Sequence, residues 1–243
     1  MIGAILRRAK RARLASRPFP AAWLPVVARR LRFAAAFDEA ATARFREHLQ
    51  VFAWEKRFEG ARGLEVTEDM RVVVAGCAAR LSMNLRLDVF DELGSVVLVK
   101  GDLQHAAADT DTRVLGLAHR YGTVVLSWDA VERGLARAHD GHDVALHEIA
   151  HILDLKDGGF DGTPPIETVA EVRAFAHAFS RAFLKMRTAP AAQVLRAYAA
   201  TNEAEFFAVA TEVFFEQPAR LKQRLPEVYG ALVKVYRVDP AGP

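Results

Sequence analysis

Between Asp143 and Asp154 the chain reads Val144-Ala145-Leu146-His147-Glu148-Ile149-Ala150-His151-Ile152-Leu153, ten residues of which only His147, Glu148 and His151 are polar. The apolar positions predict a buried helix over about 142–155, with Asp140 or Asp143 capping its start. On a helix, positions i and i+4 lie one turn apart on the same face. Both imidazoles can therefore reach a single zinc ion at its usual ~2.0–2.1 Å bond length. Glu148 then points to one side, near water at the ion and not at the ion itself, which is the half-site of a zinc peptidase. Two histidines flanking a glutamate on a solvent-exposed helix would carry no such meaning. The apolar neighbours argue against that exposed helix.

A catalytic zinc site needs a third protein ligand and one open position. The acids downstream and His177 are the candidates. The segment Tyr198-Ala199-Ala200-Thr201-Asn202-Glu203-Ala204-Glu205-Phe206-Phe207-Ala208-Val209 opens a strongly apolar helix, predicted over about 203–216, that carries Glu203, Glu205 and Glu212. Glu205 and Glu212 share a face two turns apart. Glu205 also stands three residues after Asn202, where a capping-box glutamate would stand. Spacing alone leaves Glu205 and Glu212 both open as the ligand. Asp154, three residues after His151, either orients a ligand imidazole or is a solvated acid at the helix end.

Around this centre the 243-residue chain reads as α+β and rich in helix. Helices are expected over 20–57, with Pro20 in a first turn and Phe45, Leu49, Phe52 and Ala53 at helical spacing. A turn follows at Glu59-Gly60-Ala61-Arg62-Gly63, then a helix over Thr67–Met83. Ser95–Lys100 and Thr123–Trp128 are short β-prone runs, predicted as two strands. An exposed edge of the second could accept a substrate peptide as an added strand. A loop is expected over 157–165. A helix over about 166–186 follows, with Ile166, Val169, Val172, Phe175, Phe179 and Phe183 on one stripe. A last helix starts at Pro226 and turns Val228, Tyr229, Leu232 and Tyr236 inward. His48, His105, His119, His139, His142 and His177 read as surface or packing residues.

Composition bounds the function. An apolar share of 51% and a charged share of 26% are those of a globular chain. Cys77 is alone, so no internal disulfide framework exists. No apolar run reaches the ~18 residues of a membrane span, and no signal-peptide pattern is recognisable, so a reducing cytoplasm is expected. The net charge of +3 hides an asymmetry. Residues 1–37 hold nine bases and no acid, while the remainder holds 24 bases and 30 acids. The run from Arg7 to Arg17 has no aromatic interleaving and no nucleic-acid motif. It reads as a solvated, partly mobile segment. A nucleic-acid or membrane adaptor working through it is the weaker rival.

Beyond the five-residue motif, a set of short blocks spans the chain. They include Arg17-Pro18-Phe19-Pro20, Glu55-Lys56-Arg57-Phe58-Glu59-Gly60, Gly63-Leu64-Glu65-Val66-Thr67 and Val125-Leu126-Ser127-Trp128. Asp140-Gly141-His142, Asp161-Gly162-Thr163-Pro164-Pro165, Thr201–Phe207 and Phe214-Phe215-Glu216-Gln217-Pro218 continue the series. In these the chain resembles the Mlc titration factor A family of zinc-dependent bacterial peptidases. The block from Tyr198 to Ala208 is also similar to the catalytic domain of anthrax lethal factor. The resemblance implies one zinc ion held by His147, His151 and Glu205, with Glu148 as base and Tyr198 beside the metal assisting the reaction. It implies a zincin-like catalytic domain over 66–243, with a small sheet packed on the metal-binding helix, and a basic arm and helical region over 1–65. It further implies aminopeptidase-like activity on a peptide or protein substrate and a regulatory link to the glucose repressor Mlc and the phosphotransferase system. No direct contact with nucleic acid is expected. The competing reading is a zinc-containing binding protein that sequesters a transcriptional regulator.

Overall fold

The computed structural model describes residues 2–101, 122–157, 159, 161–188 and 194–242. His105, His119 and part of the loop expected over 157–165 lie outside them. The architecture is α+β and helix-rich, with a three-stranded parallel sheet. The chain divides into two compact units, 1–130 and 131–243.

The first unit opens with α1 (Ile2–Ala15), in which most of the basic run is exposed, as expected of a solvated segment, but Arg11 is not. Its guanidinium is buried, makes two 2.6 Å hydrogen bonds to the Glu55 carboxylate, and lies 2.6 Å from Asp91. Those countercharges stand 44 and 80 positions away, so a local reading of the arginine run does not see them. α2 (Trp23–Arg30) and a short 3-10 turn lead to α3 (Glu39–Glu55), whose first turn is capped by the Asp38 carboxylate accepting from the Ala41 N–H. Phe45, Leu49, Phe52 and Ala53 are buried as their spacing predicts.

α4 (Glu68–Ser82) fulfils the helix expected over Thr67–Met83, with Thr67 as its cap. Its Val72-Val73-Val74 run is β-prone by composition, yet all three are fully buried in the helix, so packing overrides propensity. Gly76 is required there: a Cβ would come within 2.1 Å of Leu31 Cδ1.

The strands β1 (Arg57–Ala61), β2 (Ser95–Val99) and β3 (Thr123–Ser127) lie in that order, all parallel, with Arg57 opposite Ser95 and Ser95 opposite Thr123. β2 and β3 match the two expected strands. β1 occupies part of the stretch read as a turn. It is short, without a buried face, and owes its existence to backbone pairing with β2. Such a strand leaves no apolar alternation to find.

The helix α5 (Trp128–Ala136) carries the chain from one unit to the next. The second unit is built on α6 (Val144–Asp154), α7 (Val169–Thr188), α8 (Glu203–Glu216), α9 (Pro218–Arg224) and α10 (Pro226–Tyr236). α8 runs through its middle and is buried from Phe206 to Glu216. Phe175, Phe179 and Phe183 of α7 pack on Phe206 and Phe207, while Tyr229 and Tyr236 of α10 pack on Phe214. Two stripe residues depart from expectation: Ile166 lies before the start of α7, and Val169 is 69% exposed. Val169 is the first residue of α7, beyond the reach of the core, and Thr168 caps the helix there by accepting from the Glu171 N–H.

Candidate metal centre

α6 and α8 pack against each other, and both are buried along most of their length. Asp143 starts α6, its carboxylate accepting from the Leu146 N–H at 3.0 Å. This cap fixes where the helix begins and so which residues face α8. Ala145, Leu146, Ile149, Ala150, Ile152 and Leu153 are buried, as the apolar pattern requires. Asn202 starts α8 in the same way, accepting from the Glu205 N–H at 2.9 Å. The backbone of Glu205 thus serves the cap, and its side chain is turned elsewhere.

That side chain meets the two histidines. Glu205 Oε2 lies 3.1 Å from His147 Nε2 and 3.5 Å from His151 Nε2. The two imidazole rings stand edge to face, 4.9 Å between centroids. One ligand atom from each of His147, His151 and Glu205 falls within 4.8 Å of the others, so the three could hold a metal ion. A further observation tests the fit. Glu205 Oε2 is buried and makes no hydrogen bond among the described residues, although two imidazole nitrogens are near. Two nitrogens and one carboxylate oxygen converging on one point is a zinc-type donor set.

Glu212 sits on the other edge of the same ring. Its Oε1 lies 2.7 Å from His147 Nδ1, and its Oε2 accepts the Asp143 N–H at 2.8 Å. An ionised carboxylate only accepts, so His147 Nδ1 carries a proton and donates it. Arg196 Nη2 is 2.6 Å from the same Oε1. The side chain of Glu212 is 1% exposed, and each of its oxygens is engaged. Burial alone would disfavour charge on His147, but Glu212 and Glu205 on its two edges outweigh that and raise its pKa to about 10. His151 goes the other way, because burial dominates there. Glu205 and Glu212 are both held below the usual carboxylate range despite burial, through the histidines that face them and, for Glu212, Arg196 as well.

Glu148 is half-buried on α6, and its charge acts on His147, His151 and Tyr198 alike. Tyr198 is carried by a 3-10 turn, Ala197–Ala200, with its ring 6.1 Å from that of His147 and 46% exposed. Burial and the carboxylates of Glu205 and Glu148 push its hydroxyl above the ordinary tyrosine range. Asp154 is fully buried at the end of α6 and accepts the Gly162 N–H at 3.0 Å. Gly162 has φ +81°, and a Cβ there would come within 2.4 Å of the Glu203 carbonyl. The loop after α6 is therefore drawn tight against the start of α8.

The structure thus brings His147, His151, Glu205, Glu148 and Tyr198 together. From the sequence Glu212 is open only as a rival ligand, and nothing singles out Arg196. The seven-residue step from Glu205 to Glu212 was the signal for the former. Arg196 offers no signal in a single sequence, since it lies outside the helices on a connecting segment.

The sequence matches the family Glucose-regulated metallo-peptidase M90 over residues 6–237. The chain belongs to the M90 family of metallopeptidases. Among curated relatives, Mlc titration factor A of Yersinia pestis is 30% identical over 203 residues, covering 76% of this chain and 73% of that protein. Mlc titration factor A of Yersinia pseudotuberculosis aligns with the same identity and extent. An uncharacterized protein of Synechocystis sp. is 28% identical and covers 93% of this chain and 87% of its own length. The resemblance read from the short sequence blocks is thus shown by the family match. A metallopeptidase family implies a metal, and the cluster on α6 and α8 is where the described residues could hold one.

Proposed function

We propose that this protein is a zinc-dependent peptidase of zincin-like design, with His147, His151 and Glu205 as the ligands of one Zn²⁺ ion. The observation that carries the reading is the convergence of three ligand atoms within 4.8 Å on α6 and α8. When bound, the ion supplies Lewis acidity that polarises a scissile carbonyl and lowers the pKa of water toward ~7.

The chain's own groups do the rest. His147 would offer Nε2 to the ion, because its Nδ1 proton is committed to Glu212. The Glu148 carboxylate accepts a proton from the attacking water and returns it to the leaving amine. The Tyr198 hydroxyl, kept protonated by its surroundings, donates a hydrogen bond to the oxygen that gains charge in the transition state. We propose the substrate as a peptide or protein cleaved in an aminopeptidase-like manner, in the cytoplasm. No helix among the described residues is long and apolar enough to cross a membrane, and the single cysteine, Cys77, is buried and forms no disulfide within the chain.

The regulatory half of the reading rests on the relatives named Mlc titration factor A. It holds that this protein acts on a Mlc-type repressor and, through it, on the glucose phosphotransferase system. The same name favours a second reading, in which a zinc-containing protein sequesters the regulator and hydrolysis is incidental. Glu148→Gln separates the two. The variant should keep zinc and lose peptide hydrolysis, and retained turnover would remove Glu148 as the base. If it also still titrates a Mlc-type repressor in a gel-shift assay, sequestration and not cleavage is the regulatory act.

A further inference from the structure

We infer that α1 is a membrane-surface helix that lies on anionic phospholipid. The helix has two faces of different fate. Arg11 and Leu14 are buried on one, where the guanidinium is held by Glu55 and Asp91. Gln50 secures the turn after the helix by donating to the Arg17 carbonyl at 2.9 Å. At 100° per residue, Ile5, Leu6 and Ala9 fall on the opposite face. Ile5 is 66% exposed and Leu6 65%.

Two aliphatic side chains left in water on adjacent positions have no role in the packing of the first unit. Their surroundings indicate what covers them. Arg8 and Lys10 flank the apolar face on its two sides, and Arg13 lies one turn beyond Ala9 on it. All three are exposed and make no ion pair among the described residues. There is no acid anywhere in residues 1–37, so nothing nearby in sequence repels an anionic surface.

An aliphatic strip between exposed cations is the pattern of a helix lying in the headgroup layer, where the apolar side chains reach the acyl boundary and the bases meet lipid phosphates. Nucleic acid fits less well. The first aromatic residue is Phe19, so α1 offers no stacking side chain, and Ile5 and Leu6 would face phosphates and water. The length also suits the interface. Fourteen residues span about 21 Å, short of the ~30 Å hydrocarbon core, so the helix lies along the surface and does not cross it. The buried Arg11 cluster makes the attachment rigid, so the outer face is presented without first ordering the chain.

The test is sedimentation of the full chain with vesicles of phosphatidylglycerol and phosphatidylcholine in equal parts, against phosphatidylcholine alone, at low salt and at about 0.5 M salt. Binding is expected to the mixed vesicles only, with release at the higher salt. The variant Ile5→Ser with Leu6→Ser keeps every charge and should bind roughly tenfold more weakly. Arg8→Gln with Lys10→Gln should weaken binding to a similar degree. All four positions are exposed, so circular dichroism and peptide hydrolysis should match the parent. Absence of binding to the mixed vesicles overturns the inference. So does a serine variant that binds as tightly as the parent, because the attraction would then be charge alone. A duplex DNA that competes fully with the vesicles and is unaffected by the serine changes overturns it in favour of nucleic acid.

Discussion

Glu212 Oε1 and His147 Nδ1 lie 2.7 Å apart at the centre of the second unit. The contact does two things at once. It keeps a proton on Nδ1, and it leaves Nε2 facing Glu205 and His151. Glu212 also accepts the backbone N–H of Asp143, the residue that caps α6. One carboxylate therefore sets both the rotation of the first imidazole and the start of the helix that bears it. Glu212→Gln should retain the fold and lower zinc affinity about 10–100-fold, measured by competition with a chromophoric chelator. An unchanged affinity would show that the ring needs no such partner.

Glu205 and Glu212 are separable by metal content. Glu205→Ala removes an oxygen from the three-atom cluster and should yield protein with little bound zinc after dialysis. Glu212→Ala should retain about one ion per chain, though held less tightly. If only the Glu212 variant lost its zinc, the two carboxylates would have to exchange roles.

Tyr198 is nearly half exposed and contributes little to the core. Tyr198→Phe should therefore leave the melting temperature nearly unchanged. If its hydroxyl serves the transition state alone, kcat falls about 10–100-fold while KM stays within about twofold. A loss confined to KM would make Tyr198 a substrate-binding residue instead.

Acid should destabilise the first unit in two stages. His48 is buried against Ser82, whose hydroxyl donates to the Ala78 carbonyl and so accepts from His48 Nδ1. Burial, with a contribution from Arg44, lowers its pKa from 6.5 to about 4. The unfolded chain thus binds this proton first, and stability declines as pH falls from about 6.5 to 4. Glu55 follows. Burial raises its pKa, but the Arg11 hydrogen bonds and Lys56 outweigh that and hold it at about 2. Its contribution is complete above about pH 4.5 and is lost as pH falls toward 2. Each shift corresponds to about 3 kcal/mol. Urea unfolding at several pH values should show the upper stage removed in His48→Gln. An unaltered pH dependence in that variant would assign the upper stage to another group.

Gly162→Ala tests the loop behind the metal helix. The substitution meets both an unfavourable φ of +81° and a contact of 2.4 Å with the Glu203 carbonyl. It should cost about 2–4 kcal/mol and lower zinc affinity in parallel, since α8 would have to shift. Thermal melts and metal titration together check this. A stable variant with altered metal binding would mean that the loop moves alone.

How far the sequence could be read depended on the range of the interaction. α6 and α8 were legible because each carries its own cap and its own apolar periodicity within a dozen residues. The two imidazoles and Glu148 follow from helical spacing alone. Glu205 did not. Spacing left it level with Glu212, and only the likeness to known peptidases chose it as the proposed ligand. The partnership of Glu212 with His147 spans 65 positions, and Arg11 with Glu55 spans 44. Such pairings depend on tertiary packing, which no local pattern encodes. β1 was missed for the same reason, since its reason for being extended is a backbone partner at Ser95–Val99.

α6 is bonded to α8 at its start, by Glu212 on the Asp143 N–H, and at its finish Asp154 holds Gly162, whose backbone lies close against the Glu203 turn. The donor atoms are thereby spaced by covalent chain and hydrogen bonds before any ion arrives. Preorganisation of this kind means that the entropic cost of arranging these side chains is met during folding. On the proposed zinc reading, activity would then follow the concentration of free zinc, which a titration of the metal-free chain can measure.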